Sequence, residues 1–251
     1  MTSSRAGISA TERAMISTPS TPPPAALGES PLVVPRGPDV DLARTVEAAD
    51  HWPPVPVARL ELRQAWLPQP EAALRPGHVG LAATAGALLV FAELTDDCIH
   101  TLATAENEPL WERGDVFEIF LQSFGADQYF ELQIAPLGHR LHLHYPWSGA
   151  VRAHGIAPYI QRDRAIEFTV RVEPARARWR GAARIPIASL LARHPRSDGA
   201  EWRAAFCRYD YDAAGQFCLS STAALTRPDF HRSGEWSRLS IPGGFPAGPT
   251  F

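Results

Sequence analysis

Three short stretches place carboxylate, amide, imidazole and phenol groups at alternating positions. DVFEIFLQ (115–122) carries Glu118, YFELQI (129–134) carries Tyr129, Glu131 and Gln133, and RLHLHY (140–145) carries His142 and His144. Alternate residues of a strand share a face. If the three strands pair in sequence, Phe117, Ile119, Leu121, Phe130, Leu132, Ile134, Leu141 and Leu143 line an apolar core. The opposite face then gathers Glu118, Tyr129, Glu131, Gln133, His142 and His144. Groups that donate and accept hydrogen bonds beside an aromatic ring suit a polyhydroxylated ligand. The same set also describes the solvated face of an antiparallel sheet. Two imidazoles on alternate residues can ligate one zinc or iron ion if Glu118 or Glu131 joins them, so a metal-dependent enzyme is the rival reading. Trp147 follows Pro146 in a loop and offers a second ligand platform. Arg208 shares a strand face with Trp202, Phe206 and Asp210, which reads as an Arg–Asp pair ordering the rim together with Asp115.

Composition removes several chemistries. All 24 basic residues are Arg, which excludes a Schiff-base lysine and a phosphate-loop lysine. The only methionines are Met1 and Met15, so a Met–His haem site within a folded domain is excluded. A net charge of −3 leaves no electrostatic footprint for nucleic acid or an anionic membrane. Nor does any apolar run reach bilayer-spanning length. Three cysteines are too few for a disulfide-built scaffold and read as reduced thiols, although Cys207 and Cys218 flank a hairpin turn. With no apolar core of a secretory signal at the N-terminus, the expected location is cytoplasmic.

The elements that must position these residues are short strands. Residues 1–30 are rich in Ser, Thr, Pro and Ala, and the first aromatic residue is Trp52. Such a segment buries too little apolar surface to offset its ordering entropy and is expected to be a disordered tail. Residues 31–251 form the expected ligand-binding domain. Strand patterns run over 57–66, 80–94 (a hairpin turning at Ala85-Gly86), 115–122, 129–134, 140–145, 165–173, 179–187, 202–211, 216–221 and 238–241. One helical stretch, ASLLARH (188–194), interrupts them. Many short strands with turn signals between them predict an all-β antiparallel sandwich. Trp52, Trp66, Trp179 and Trp202 fall in or beside strands and are expected in the core.

Five motifs also resemble, in order and spacing, the family 9-like carbohydrate-binding modules of the DOMON-like superfamily. They are LWERGDVFEIFL (110–121), QYFELQIAPLG (128–138), Trp179 with Arg184-Ile185-Pro186, EWRAAF (201–206) with Arg208 and Asp210, and PDFH (228–231) with WSRL (236–239). The resemblance implies a β-sandwich that binds a saccharide or other small polar ligand without catalysis, often with structural calcium. It implies Trp111 as a stacking platform, Glu118 as a hydroxyl-binding acid and Glu131 or Gln133 as the polar position on the next strand. Asp96-Asp97 and Glu106-x-Glu108 offer oxygen ligands for that calcium. Where many members carry a second Trp, this chain has Leu219-Ser220-Ser221-Thr222. Losing one aromatic wall would alter what is held, and a structural or interaction domain with a decayed pocket is the third reading.

Overall fold

The computed structural model describes residues 30–47, 53, 55–162, 166–187, 190 and 200–245. The expected tail, 1–30, lies almost wholly outside them, as do most of the expected helix at 188–194 and Trp52, expected in the core. Among the described residues the chain makes strands β1 Leu32–Val33, β2 Ala58–Glu61, β3 Gly77–Ala83, β4 Ala87–Thr95, β5 Val116–Ser123, β6 Tyr129–Ile134, β7 Arg140–Tyr145, β8 Glu167–Glu173, β9 Arg178–Pro186, β10 Glu201–Tyr211, β11 Phe217–Ser221 and β12 Ser237–Ser240. Two short helices, α1 Leu42–Glu47 and α2 Ala150–His154, accompany them. No described helix is long and apolar enough to cross a membrane.

Two sheets result. One orders β2-β3-β4-β9-β8, all antiparallel, and the other β1-β12-β10-β5-β6-β7 with β11 also on β10. The long β10 pairs β5 along one edge, while its other edge is shared by β12 at its start and β11 at its end. The strand over 57–66 ends earlier than its alternation suggests. After Glu61 the chain crosses between sheets, and Arg63 bridges Ser221 on the free edge of β11.

Between the sheets lies the main core, including Val79, Leu81, Val90, Phe117, Ile119 and Phe206. Trp179 and Trp202 belong to it, as expected. A second apolar cluster covers the other face of the β5-bearing sheet. A third, smaller one seats α1 on the outside of the β3–β4 hairpin. The β5-bearing sheet is therefore buried on both sides. All three cysteines are free. Cys207 faces Ser221 and Cys218 faces Asp210 across the β10–β11 hairpin, so the two thiols occupy different rows.

Candidate functional site

Strand register assigns the site. On β5, Glu118 lies opposite Gln133 of β6 and Cys207 of β10; one row further, Glu131 lies opposite Phe120 and Leu143. Glu118 and Glu131 are therefore diagonal neighbours on one face, close enough to interact. Tyr129 and Tyr145 oppose each other two residues further on and stack at 4.8 Å. This is the outer face of the sheet, as expected, but it is not wet. Glu118, Glu131 and Gln133 are 3, 2 and 1 % exposed.

A roof covers much of the face, built by α2, the 3-10 turn Ala157–Tyr159 and the segment between β11 and β12. Trp236 sits 5.4 Å from Phe120 and 5.3 Å from Tyr129, ring to ring, and Phe230 packs edge-on to Phe120. Its two parts are tied by the Arg152–Asp229 ion pair at 2.6 Å. From the roof, His231 Nδ1 shares a 2.8 Å hydrogen bond with the Tyr129 hydroxyl.

Enclosure sets the electrostatics. Burial raises Glu118 well above the ordinary carboxylate range, and the neighbouring Glu131 adds to the rise. Burial also raises Glu131, with His231, the Gln133 amide and the Tyr145 hydroxyl pulling the other way. Gln133 Nε2 donates to Glu131 Oε1, 2.5 Å away on the same strand face. Glu131 Oε2 and Gln133 Oε1 are buried with no hydrogen-bond partner among the described residues. A buried polar atom left unpaired costs on the order of 1–3 kcal/mol, so such atoms mark a place where a polar partner would be held.

The end of the face beyond Glu118 is less covered and is aromatic. Tyr209 and Leu219 oppose each other there, followed by Tyr211 and Phe217. Tyr209, Tyr211, Phe217, Trp111 and Trp66 are all half-buried. Trp111 lies in the 3-10 turn Leu110–Glu112, just before β5. Its carbonyl accepts the Tyr211 hydroxyl at 2.5 Å, and Asp115 Oδ1 in turn accepts the Tyr211 backbone N–H at 2.7 Å. The turn bearing the indole is thus locked to β10.

Some sequence-predicted residues lie elsewhere. His142 and His144 do not share the face of Glu118 and Glu131. Their register partners are Leu132 and Phe130, and His144 stacks on Phe130 at 4.5 Å on the inter-sheet side. Leu141 and Leu143 take the outer face instead, under the roof. Both faces being buried, apolar alternation could not say which side of β7 was inner. A metal shared by the two histidines and either glutamate is thereby excluded, because the sheet separates the groups. Trp147 is 44 % exposed and packs edge-on to His154 of α2, away from the carboxylates.

Arg208 also points between the sheets, opposite Phe117, and is fully buried. It pairs with Asp96 at 3.1 Å and Asp210 at 2.8 Å and donates to the Thr95 carbonyl. Asp96, Asp115 and Asp210 bring oxygens within 4.8 Å of one another. Burial pushes Asp115 up to about 7 and Asp210 up to about 6, the neighbouring Asp96 adding to both. Among the described residues, these are the acidic side chains that gather at metal-ligand spacing. Calcium takes about six to eight oxygens; here both Asp115 oxygens accept backbone amides and a guanidinium already sits on Asp96 and Asp210. The donor set fits that ion poorly, and no binding role is routed through it. The remaining acidic candidates are in ion pairs, Asp97 with Arg75, Glu106 with Arg140 and Glu108 with Arg113.

Among the contributors not read from the sequence are His231, Tyr211 and Trp66. The PDFH motif flagged the first, but only the fold shows it folding back onto Tyr129. Tyr211 shares the alternation of Tyr209 on β10, a signal that was available.

No protein-family model matches the chain, and no curated protein is similar to it. Solved structures do match. A Bacteroides uniformis protein shares 17 % identity with a TM-score of 0.55, the alignment covering 74 % of this chain and 86 % of that one. A carbohydrate-binding module of family 9 from Caldicellulosiruptor kristjanssonii, solved with cellotriose, shares 14 % identity over 84 % of this chain and 93 % of its own, with a TM-score of 0.55. Its structure with glucose gives 14 % identity, 84 % and 95 % coverage and a TM-score of 0.53. The chain thus has a β-sandwich fold like that of the family 9 carbohydrate-binding modules.

Proposed function

We propose that this chain is a non-catalytic module that binds a saccharide at the aromatic end of the roofed face. Trp111 supplies the stacking surface, and Glu118 with Gln133, the polar row adjoining it, supplies hydrogen bonds. The observation that carries the reading is the pair of acceptors buried without a hydrogen-bond partner among the described residues, Glu131 Oε2 and Gln133 Oε1, on the face whose less covered end is aromatic. Sugar hydroxyls donate to such acceptors, and sugar C–H faces pack on rings.

The test is intrinsic tryptophan fluorescence during titration with glucose, cellotriose and other mono- and oligosaccharides. Saturable quenching in the native chain, lost in Trp111→Ala, is expected. A flat response to every sugar would remove this reading. It would leave the structural or interaction domain, which one observation favours: Phe230, His231 and Trp236 already seat their rings on part of the face.

A further inference from the structure

Trp66, expected in the core, packs on the core cluster of the roofed face and not on the one between the sheets. It lies in the turn after Arg63, half-buried, and packs on the apolar cluster of the roofed face, the cluster that also receives Trp111, Tyr209 and Phe217. The turn is fixed to β11, and its loop is closed on itself. Arg63 and Ser221 exchange backbone hydrogen bonds, each 2.9 Å. Gln64, 5 % exposed, donates from Nε2 to the Leu219 carbonyl at 3.0 Å. Gln64 Oε1 accepts the Glu71 backbone N–H at 2.7 Å, which closes the far side of the loop.

We infer that Trp66 is a second aromatic contact for the saccharide, brought from the loop after β2 onto the cluster that holds Leu219. This rests on the proposed saccharide-binding role and adds a residue to that site. A ring that only filled the core would be withdrawn from water, as Trp179 and Trp202 are at 0 and 1 % exposure, whereas Trp66 keeps part of its surface accessible. A platform also needs a rigid mount, because ordering a loose side chain on binding costs affinity. Here a buried glutamine, hydrogen-bonded at both ends, holds the turn.

The experiment compares the full chain with Trp66→Ala and Trp66→Phe by titration with cellotriose and glucose, alongside oxidative footprinting of the native chain. One aromatic contact corresponds to a loss of up to about tenfold in affinity. Trp66→Ala should lose about that much, and Trp66→Phe, which keeps a ring, should retain most of the binding. Saturating cellotriose should slow oxidation of Trp66 in the native chain, a readout that does not depend on the variant folding. Binding by the native chain with Trp66 unprotected and Trp66→Ala unimpaired would overturn the inference while leaving the saccharide reading intact. No binding by the native chain to any sugar would instead bring down the saccharide reading and the role of Trp66 with it.

Discussion

His231 holds two residues of the face at once: its Nδ1 shares a hydrogen bond with the Tyr129 hydroxyl at 2.8 Å, and its Nε2 stands 3.9 Å from Glu131 Oε2. The ring is also edge-on to Phe120 at 5.4 Å and to Tyr145 at 5.7 Å. Replacing it with Ala removes a buried hydrogen bond and these ring contacts. His231→Ala is expected to lower unfolding free energy by about 1–3 kcal/mol. Denaturant melts check this, with an unchanged slope showing that the sandwich is intact.

The buried carboxyls make stability depend on pH in a direction opposite to ordinary acid denaturation. Glu118, Glu131 and Asp115 all have folded values raised by burial. Such a group keeps its proton in the folded state over a range where the unfolded chain has released it. Its contribution is most favourable below the unfolded value and erodes as pH climbs toward the folded one. For Asp115 that window runs from 3.8 to about 7. Glu118→Gln, neutral at every pH, should therefore be more stable than the native chain at pH 8, by about 1 kcal/mol or more. At pH 4 the gain should vanish. Melting curves across this range decide it; equal stabilisation at both pH values would contradict the buried-proton account.

Arg208 is the counter-charge for Asp96 and Asp210, all three withdrawn from water or nearly so. Removing one partner of a buried ionic cluster leaves uncompensated charge, at a cost of about 3–5 kcal/mol. Arg208→Met should show this loss in thermal melts. Because the guanidinium lies between the sheets, the same variant measured well below its melting temperature should bind saccharide normally.

Tyr211→Phe deletes one oxygen, the hydroxyl that donates to the Trp111 carbonyl. Stability should fall by only about 1 kcal/mol. Saccharide affinity should fall by several-fold, since the turn carrying the Trp111 indole loses its tie to β10. Unchanged affinity would show that the turn is held by its neighbours instead.

The sandwich was legible because strand alternation is a local property: DVFEIFLQ and YFELQI read as strands and fold as β5 and β6. Glu118, Glu131 and Gln133 were placed correctly on one face for the same reason. RLHLHY failed on the face, not on the strand. Alternation tells two sides apart only when one is wet, and the roof makes Leu141 and Leu143 as buried as any residue of the inner core. The contacts of His231 with Tyr129 and of Gln64 with Leu219 span 102 and 155 residues. No local pattern encodes contacts at that separation.

The roof segment leaves the sheet at Ser221, opposite Cys207, and returns at Ser237, opposite Ala204, so both of its ends are stitched to one strand. The intervening edge is closed by Thr222, which bonds Phe206 through its backbone N–H and its hydroxyl. A segment anchored in this way behaves as a cassette. Its length can change at little cost, since loop length adds only slowly to closure entropy. Selectivity on this face could therefore diverge between otherwise superimposable sandwiches through residues 223–236 alone.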